Sequence, residues 1–118
     1  LDEDGAFAGG IIAPGLRLSL SALSSAAARL SMVEMKAPAF IVGTNTRAAI
    51  QSGAVMGEVA RIDGLIDMIW REMGCSGGVV MSGADASALA ALCSHEALVE
   101  PDLTLLGLGM LERLNRRR

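Results

Sequence analysis

The sequence predicts an α/β fold in which a central sheet is flanked by helices, including one long helix at about residues 47–73. Three observations carry that reading. Short β-branched and apolar runs near 79–82 and 97–100 alternate with segments of helical period, the order that builds a sheet covered by helices. Val55, Val59, Ile62, Ile66, Ile69 and Trp70 recur on one face of the longest helical segment. The composition is 52% hydrophobic but only 3% aromatic, so small and aliphatic side chains supply the apolar content of closely packed layers.

The elements follow in order. Asp2-Glu3-Asp4-Gly5 has hairpin chemistry, with Asp-Gly supplying the positive-φ position. Ala6 to Ala13 then reads as a strand interrupted by Gly9-Gly10. A hairpin turn with one strand behind it implies a partner strand upstream, so Leu1 is expected to lie inside a larger domain. Pro14-Gly15 punctuates the chain, and Leu16, Leu20, Leu23, Ala27 and Leu30 form the stripe of a helix from 16 to 30. A short extended piece is expected from Met32 to Lys36, and an extended or loop approach from Ala39 to Gly43. Thr44-Asn45-Thr46 offers capping groups to the long helix. On that helix Arg61, Asp63, Asp67, Arg71 and Glu72 mostly populate the face opposite the stripe. Its Gly53, Gly57 and Gly64 each cost roughly 1 kcal/mol relative to alanine and either kink the helix or permit close packing. After a loop at Cys75 to Gly78 come a buried strand at 79–82, a helix at 85–93, a strand at 97–100 and, past Pro101-Asp102, a helix at about 103–115.

At 118 residues the chain is one domain at most. The formal net charge of −3 argues against a nucleic-acid binder that works by neutralising phosphates. Mean hydropathy is high at +0.46, yet the longest uncharged stretches fall short of the ~20 residues a membrane helix needs. No basic segment precedes an apolar run at the start, so a cytoplasmic, membrane-free protein is expected. Cys75 and Cys93 lack metal-ligand spacing, and His95 is the only histidine, so zinc chemistry and Ser-His-Asp hydrolysis lack their parts. Arg116-Arg117-Arg118 reads as a solvated helix end.

Four patterns remain, and they occur in a fixed order. They are Gly9-Gly10-Ile11-Ile12-Ala13-Pro14-Gly15-Leu16; Gly43-Thr44-Asn45-Thr46 with Gln51-Ser52-Gly53; Val79-Val80-Met81-Ser82-Gly83; and Pro101-Asp102-Leu103-Thr104-Leu105 with Gly107-Leu108. Together they resemble the C-terminal half of type III pantothenate kinases, in the actin-like, sugar-kinase superfamily. The resemblance implies a ribonuclease-H-like C-terminal lobe spanning residues 1–118, with the N-terminal lobe in another stretch of polypeptide. It also implies a homodimer with ATP and pantothenate held in a cleft between lobes. Magnesium and a monovalent cation, potassium or ammonium, are the implied cofactors, and the implied reaction is phosphoryl transfer to pantothenate in the first step of coenzyme A synthesis.

Carried over onto this sequence, Thr46 matches a threonine that contacts pantothenate across the dimer interface; the competing reading is a helix cap. Gly9, Gly10, Pro14 and Gly15 match a turn beside the cleft, where glycine permits either close approach to a ligand or tight sheet–helix packing. Ser82 and Gly83 match a turn lying against the nucleotide, but Ala84 stands where the family commonly has a second glycine. Gly83-Ala84-Asp85 is similar to part of the family's Gly-Ala-Asp-Arg motif, but Ala86 replaces the arginine and the order is wrong. Asp85 is therefore expected at a helix N-terminus rather than as a general base. The sequence contains no Asp-x-Gly-Asn-Thr phosphate loop and no Asp-x-Gly-Thr-Ala-x-Thr segment. No catalytic or metal-ligating residue is thus assigned to this chain. The leading expectation is part of a pantothenate kinase, inactive alone; the alternatives are a non-catalytic dimerisation or regulatory module, and half of another sugar kinase.

Overall fold

A computed structural model describes residues 1–26 and 36–116. It is a mixed helix and small-sheet structure in two units, Leu1–Ser76 and Gly77–Arg118.

The first unit opens with the expected turn. The Asp2 N–H donates to the Ala6 carbonyl at 2.9 Å, and the Gly5 N–H donates to the Asp2 carbonyl at 3.0 Å. The Asp2 carboxylate accepts from the N–H groups of Asp4 and Ala6, and Gly5 takes φ 75°, a conformation natural to glycine. The strand expected from Ala6 to Ala13 does not form among the described residues. A strand exists through its ladder, and past Ala6 this segment has no described backbone to pair with. Its Phe7, Ile11 and Ile12 are exposed.

Helix α1 spans Leu16–Ala26; the expected continuation to Leu30, and the extended piece from Met32, fall in residues 27–35, outside the described residues. Helix α2 spans Thr46–Met73, as its stripe required. Its C-terminus is closed by Gly74 in the left-handed region at φ 71°, with Arg71 in the last turn where a cation complements the helix dipole. Helices α1 and α2 are in contact, and the buried residues of this unit lie on them: Leu16 on α1 and Ser52, Val55 and Val59 on α2, each at most 6% exposed. Farther along, Ile62, Ile66 and Trp70 are half-buried while Ile69 is exposed. Glu58 and Arg61 form an ion pair one turn apart.

In the second unit, β1 (Val79–Met81) and β2 (Ala97–Val99) pair in parallel, with Val80 opposite Leu98. The crossover carries α3, Ala86–Ala90, shorter than the helix expected to Cys93. Beyond Ala90 the chain tightens into a turn, with the N–H groups of both Leu92 and Cys93 donating to the Leu89 carbonyl. Helix α4 follows at Leu103–Arg116. The described sheet therefore has two strands, where the sequence implied a third from the opening segment. No helix of the described residues is long and apolar enough to cross a membrane.

Candidate functional site

The loop ahead of α2 is fastened to that helix by three side-chain hydrogen bonds and one backbone contact. Asn45, with extended backbone at φ −145° and ψ 166°, is the N-cap, and its Oδ1 accepts from the Ala48 N–H at 2.9 Å. Ser52, 5% exposed, donates its hydroxyl proton to the Ile41 carbonyl. The Gln51 Nε2 donates to the Lys36 carbonyl at 3.1 Å. Gly43 supplies the contact. A Cβ at that position would lie 2.3 Å from the Ala49 nitrogen and 2.6 Å from the Ala48 carbonyl carbon, which are helix backbone and have nowhere to move.

The second sequence pattern thus becomes a clamp. Gly43 lets the loop press on the first turn, Asn45 closes the helix end, and Gln51 and Ser52 hold the incoming carbonyls. The Ile41 carbonyl gives the hydroxyl of the buried Ser52 its hydrogen-bond partner. The role of Ser52 was not read from the sequence, although a signal existed: a hydroxyl sits among apolar positions at the 52, 55, 59 spacing of the buried stripe. Replacing Asn45 with alanine is expected to destabilise α2 by ~1 kcal/mol, the usual value of an N-cap, read as a lower urea midpoint.

Thr46 is the first helical residue and is exposed. Of its two readings, the capping role is taken by Asn45. Beside the clamp lies an open apolar depression of ≈ 560 Å³, lined by Ile41, Val42, Gly43, Ala49, Ser52, Gly53, Met56 and Gly57; Thr46 is not part of its lining. A Cβ at Gly53, Gly57 or Gly64 would meet nothing within 4 Å. Those glycines therefore mark no close approach among the described residues, and α2 runs through them as one helix.

Gly9, Gly10, Pro14 and Gly15 lie in the exposed segment between the turn and α1. Gly9 takes φ 146°, which favours glycine. A Cβ at Gly10 would meet only the Phe7 ring at 3.9 Å, and one at Gly15 nothing. Tight sheet–helix packing is thus not what these glycines serve among the described residues.

Ser82 and Gly83 belong to the second unit, at the carboxyl end of β1. Gly83 takes φ 108° and its carbonyl accepts from the Ala86 N–H at 3.2 Å. The Ser82 hydroxyl donates to the Pro101 carbonyl at 3.4 Å, joining the turn after β1 to the turn after β2. That end of a parallel sheet is where open α/β folds characteristically hold ligands. Ala84 is exposed beside it. Asp85 is the N-cap residue of α3, as expected, although its side chain accepts no capping hydrogen bond. Cys75 and Cys93 form no disulfide with each other; the first is exposed and the second half-buried. Among the described residues no group of three His, Cys, Asp or Glu side chains could hold a metal ion.

A family model described as type III pantothenate kinase matches residues 1–68. Proteins named type III pantothenate kinase are similar along nearly the whole chain. The one from Thermomicrobium roseum is 42% identical over 117 residues, 98% of this chain and 45% of the relative. That from a Roseiflexus species is 40% identical over 116 residues, 98% of this chain and 46% of the relative. That from a Jannaschia species is 43% identical over 117 residues, 97% of this chain and 44% of the relative. The chain spans somewhat less than half the length of these curated relatives.

Proposed function

We propose, since this chain belongs to the type III pantothenate kinase family, that it forms one lobe, residues 1–118, of an ATP-dependent kinase that phosphorylates pantothenate to 4'-phosphopantothenate. The step opens coenzyme A biosynthesis, and the enzyme works as a cytoplasmic homodimer. The observation that carries this reading is the clamp, which holds an exposed Thr46 at the head of a 28-residue helix. A threonine hydroxyl can donate to a carboxylate or carbonyl and accept from a hydroxyl, and pantothenate presents all three groups. In this reading Thr46 contacts pantothenate in the neighbouring subunit's site. The rigid loop behind it supports the positioning on which phosphoryl transfer mainly depends.

Gly9, Gly10, Pro14 and Gly15 would form a cleft wall that a substrate can approach closely. The Ser82–Gly83 turn would lie near the nucleotide, its neighbour Ala84 narrowing the space. Magnesium and a monovalent cation, potassium or ammonium, belong to the same reading. No three-ligand cluster for either occurs among the described residues, so no metal role is assigned to these side chains and no step is derived through an ion.

In a kinase of the relatives' full length carrying this segment, Thr46→Val is expected to raise the apparent KM for pantothenate by up to roughly tenfold with the KM for ATP unchanged. That corresponds to ~0.5–1.5 kcal/mol, the net value of one hydrogen bond. Steady-state kinetics check it, and an unaltered pantothenate KM removes Thr46 from the substrate site.

A further inference from the structure

Ser52 carries a hydroxyl that the proposed phosphoryl transfer leaves without a task. It is the buried polar residue of α2, 5% exposed, on the same helix as the buried Val55 and Val59. A serine inside a helix commonly turns its hydroxyl to the carbonyl four residues earlier. Ser52 instead donates to the carbonyl of Ile41, eleven residues earlier, in the loop ahead of α2. Alanine would fill a buried helical position without the cost of taking a hydroxyl out of water. What the hydroxyl adds is a fixed point for the loop.

The side chains of the loop do not hold it down. Phe40, Ile41 and Val42 are 78%, 64% and 80% exposed. The next fastening along the chain is Asn45, whose Oδ1 and carbonyl accept from the N–H groups of Ala48 and Ala49, both at 2.9 Å. Thr46 comes directly after it, at the first position of α2. A backbone N–H there has no partner within the helix, and helix ends fray. The placement of Thr46 therefore depends on Asn45 keeping its extended conformation. That in turn depends on the run from Ile41 to Asn45 being tied at its start.

We infer that Ser52 is a positioning residue for pantothenate: its hydroxyl holds the Ile41 carbonyl and, through the loop and the Asn45 cap, fixes Thr46 where it meets the substrate. The inference rests on the placement of Thr46 against pantothenate proposed above, and it names the group that keeps Thr46 there.

The test compares Ser52→Ala, Thr46→Val and the double variant in a kinase of the relatives' full length carrying this segment. Ser52→Ala is expected to raise the apparent KM for pantothenate by about threefold or more, with the KM for ATP unchanged. It should also speed amide hydrogen exchange across residues 41–49. In the Thr46→Val background the same substitution should change the pantothenate KM by less than about twofold, because its route to the substrate is gone. A residue that only kept α2 folded would lower kcat by reducing the active fraction and leave both KM values in place. Unchanged exchange, a rise in KM that persists in the Thr46→Val background, or an unaltered pantothenate KM where Thr46→Val raises it would each overturn the inference without touching the Thr46 reading. An unaltered KM in Thr46→Val removes that reading and the inference with it. Should Ser52→Ala not fold, Ser52→Cys, close in size and a weaker donor, enters the same comparison with the same deciding outcomes.

Discussion

Gly43→Ala is expected to lower the stability of the first unit by about 3 kcal/mol, at the upper end of the usual cost of overpacking. The added methyl would fall 2.3–2.6 Å from three backbone atoms of Ala48 and Ala49. A flexible side chain could swing aside, but a hydrogen-bonded helix turn cannot. The loop must lift, and the Asn45 cap and the Ser52–Ile41 hydrogen bond loosen with it. Gly53→Ala is the matched control, because a Cβ there meets nothing within 4 Å. Inside a helix that change should be stabilising by roughly 0.5–1 kcal/mol. Urea denaturation of both variants gives the comparison, and equal midpoints for Gly43→Ala and the parent chain would mean that the loop does not press on α2 in solution.

The second large effect concerns activity. The 118-residue chain by itself is expected to give no pantothenate-dependent ATP turnover above background in a coupled assay. Phosphoryl transfer needs groups that cradle the phosphates and a residue that orients the attacking hydroxyl. The sequence contains neither the family's phosphate-loop pattern nor its Gly-Ala-Asp-Arg motif, and Asp85 stands at the start of the short helix α3. Measurable turnover by this chain alone would show that the assignment of the chemistry to another stretch of polypeptide is wrong. The same assay separates the proposed kinase lobe from a non-catalytic module: with a complementary half supplied, only the former gains activity.

Residues near α2 show how much of the candidate site could be read in advance. Thr46 itself was singled out by the family resemblance, whereas the helix that follows it and the burial of Val55 and Val59 were legible because both rest on local periodicity. That Asn45 rather than Thr46 is the cap was not, since both residue types suit the role and only backbone geometry separates them. The fastening by Gln51 and Ser52 was hidden for a different reason. Their partners, Lys36 and Ile41, lie 15 and 11 residues away, beyond what a helical or strand period reports.

The amino-acid order alone determined the alternation of strands and helices, the opening Asp-Gly turn, the bounds of α2 to within one residue and the family resemblance. Each depends on side-chain pattern or turn chemistry within a few positions. Tertiary structure decided that Ala6 to Ala13 forms no ladder among the described residues, that Gly43 is where loop meets helix, and that Val80 and Leu98 stand opposite each other in a parallel pair. Pairing, close approach and burial are relations between distant segments, and a one-dimensional pattern states which faces are apolar without saying what will cover them.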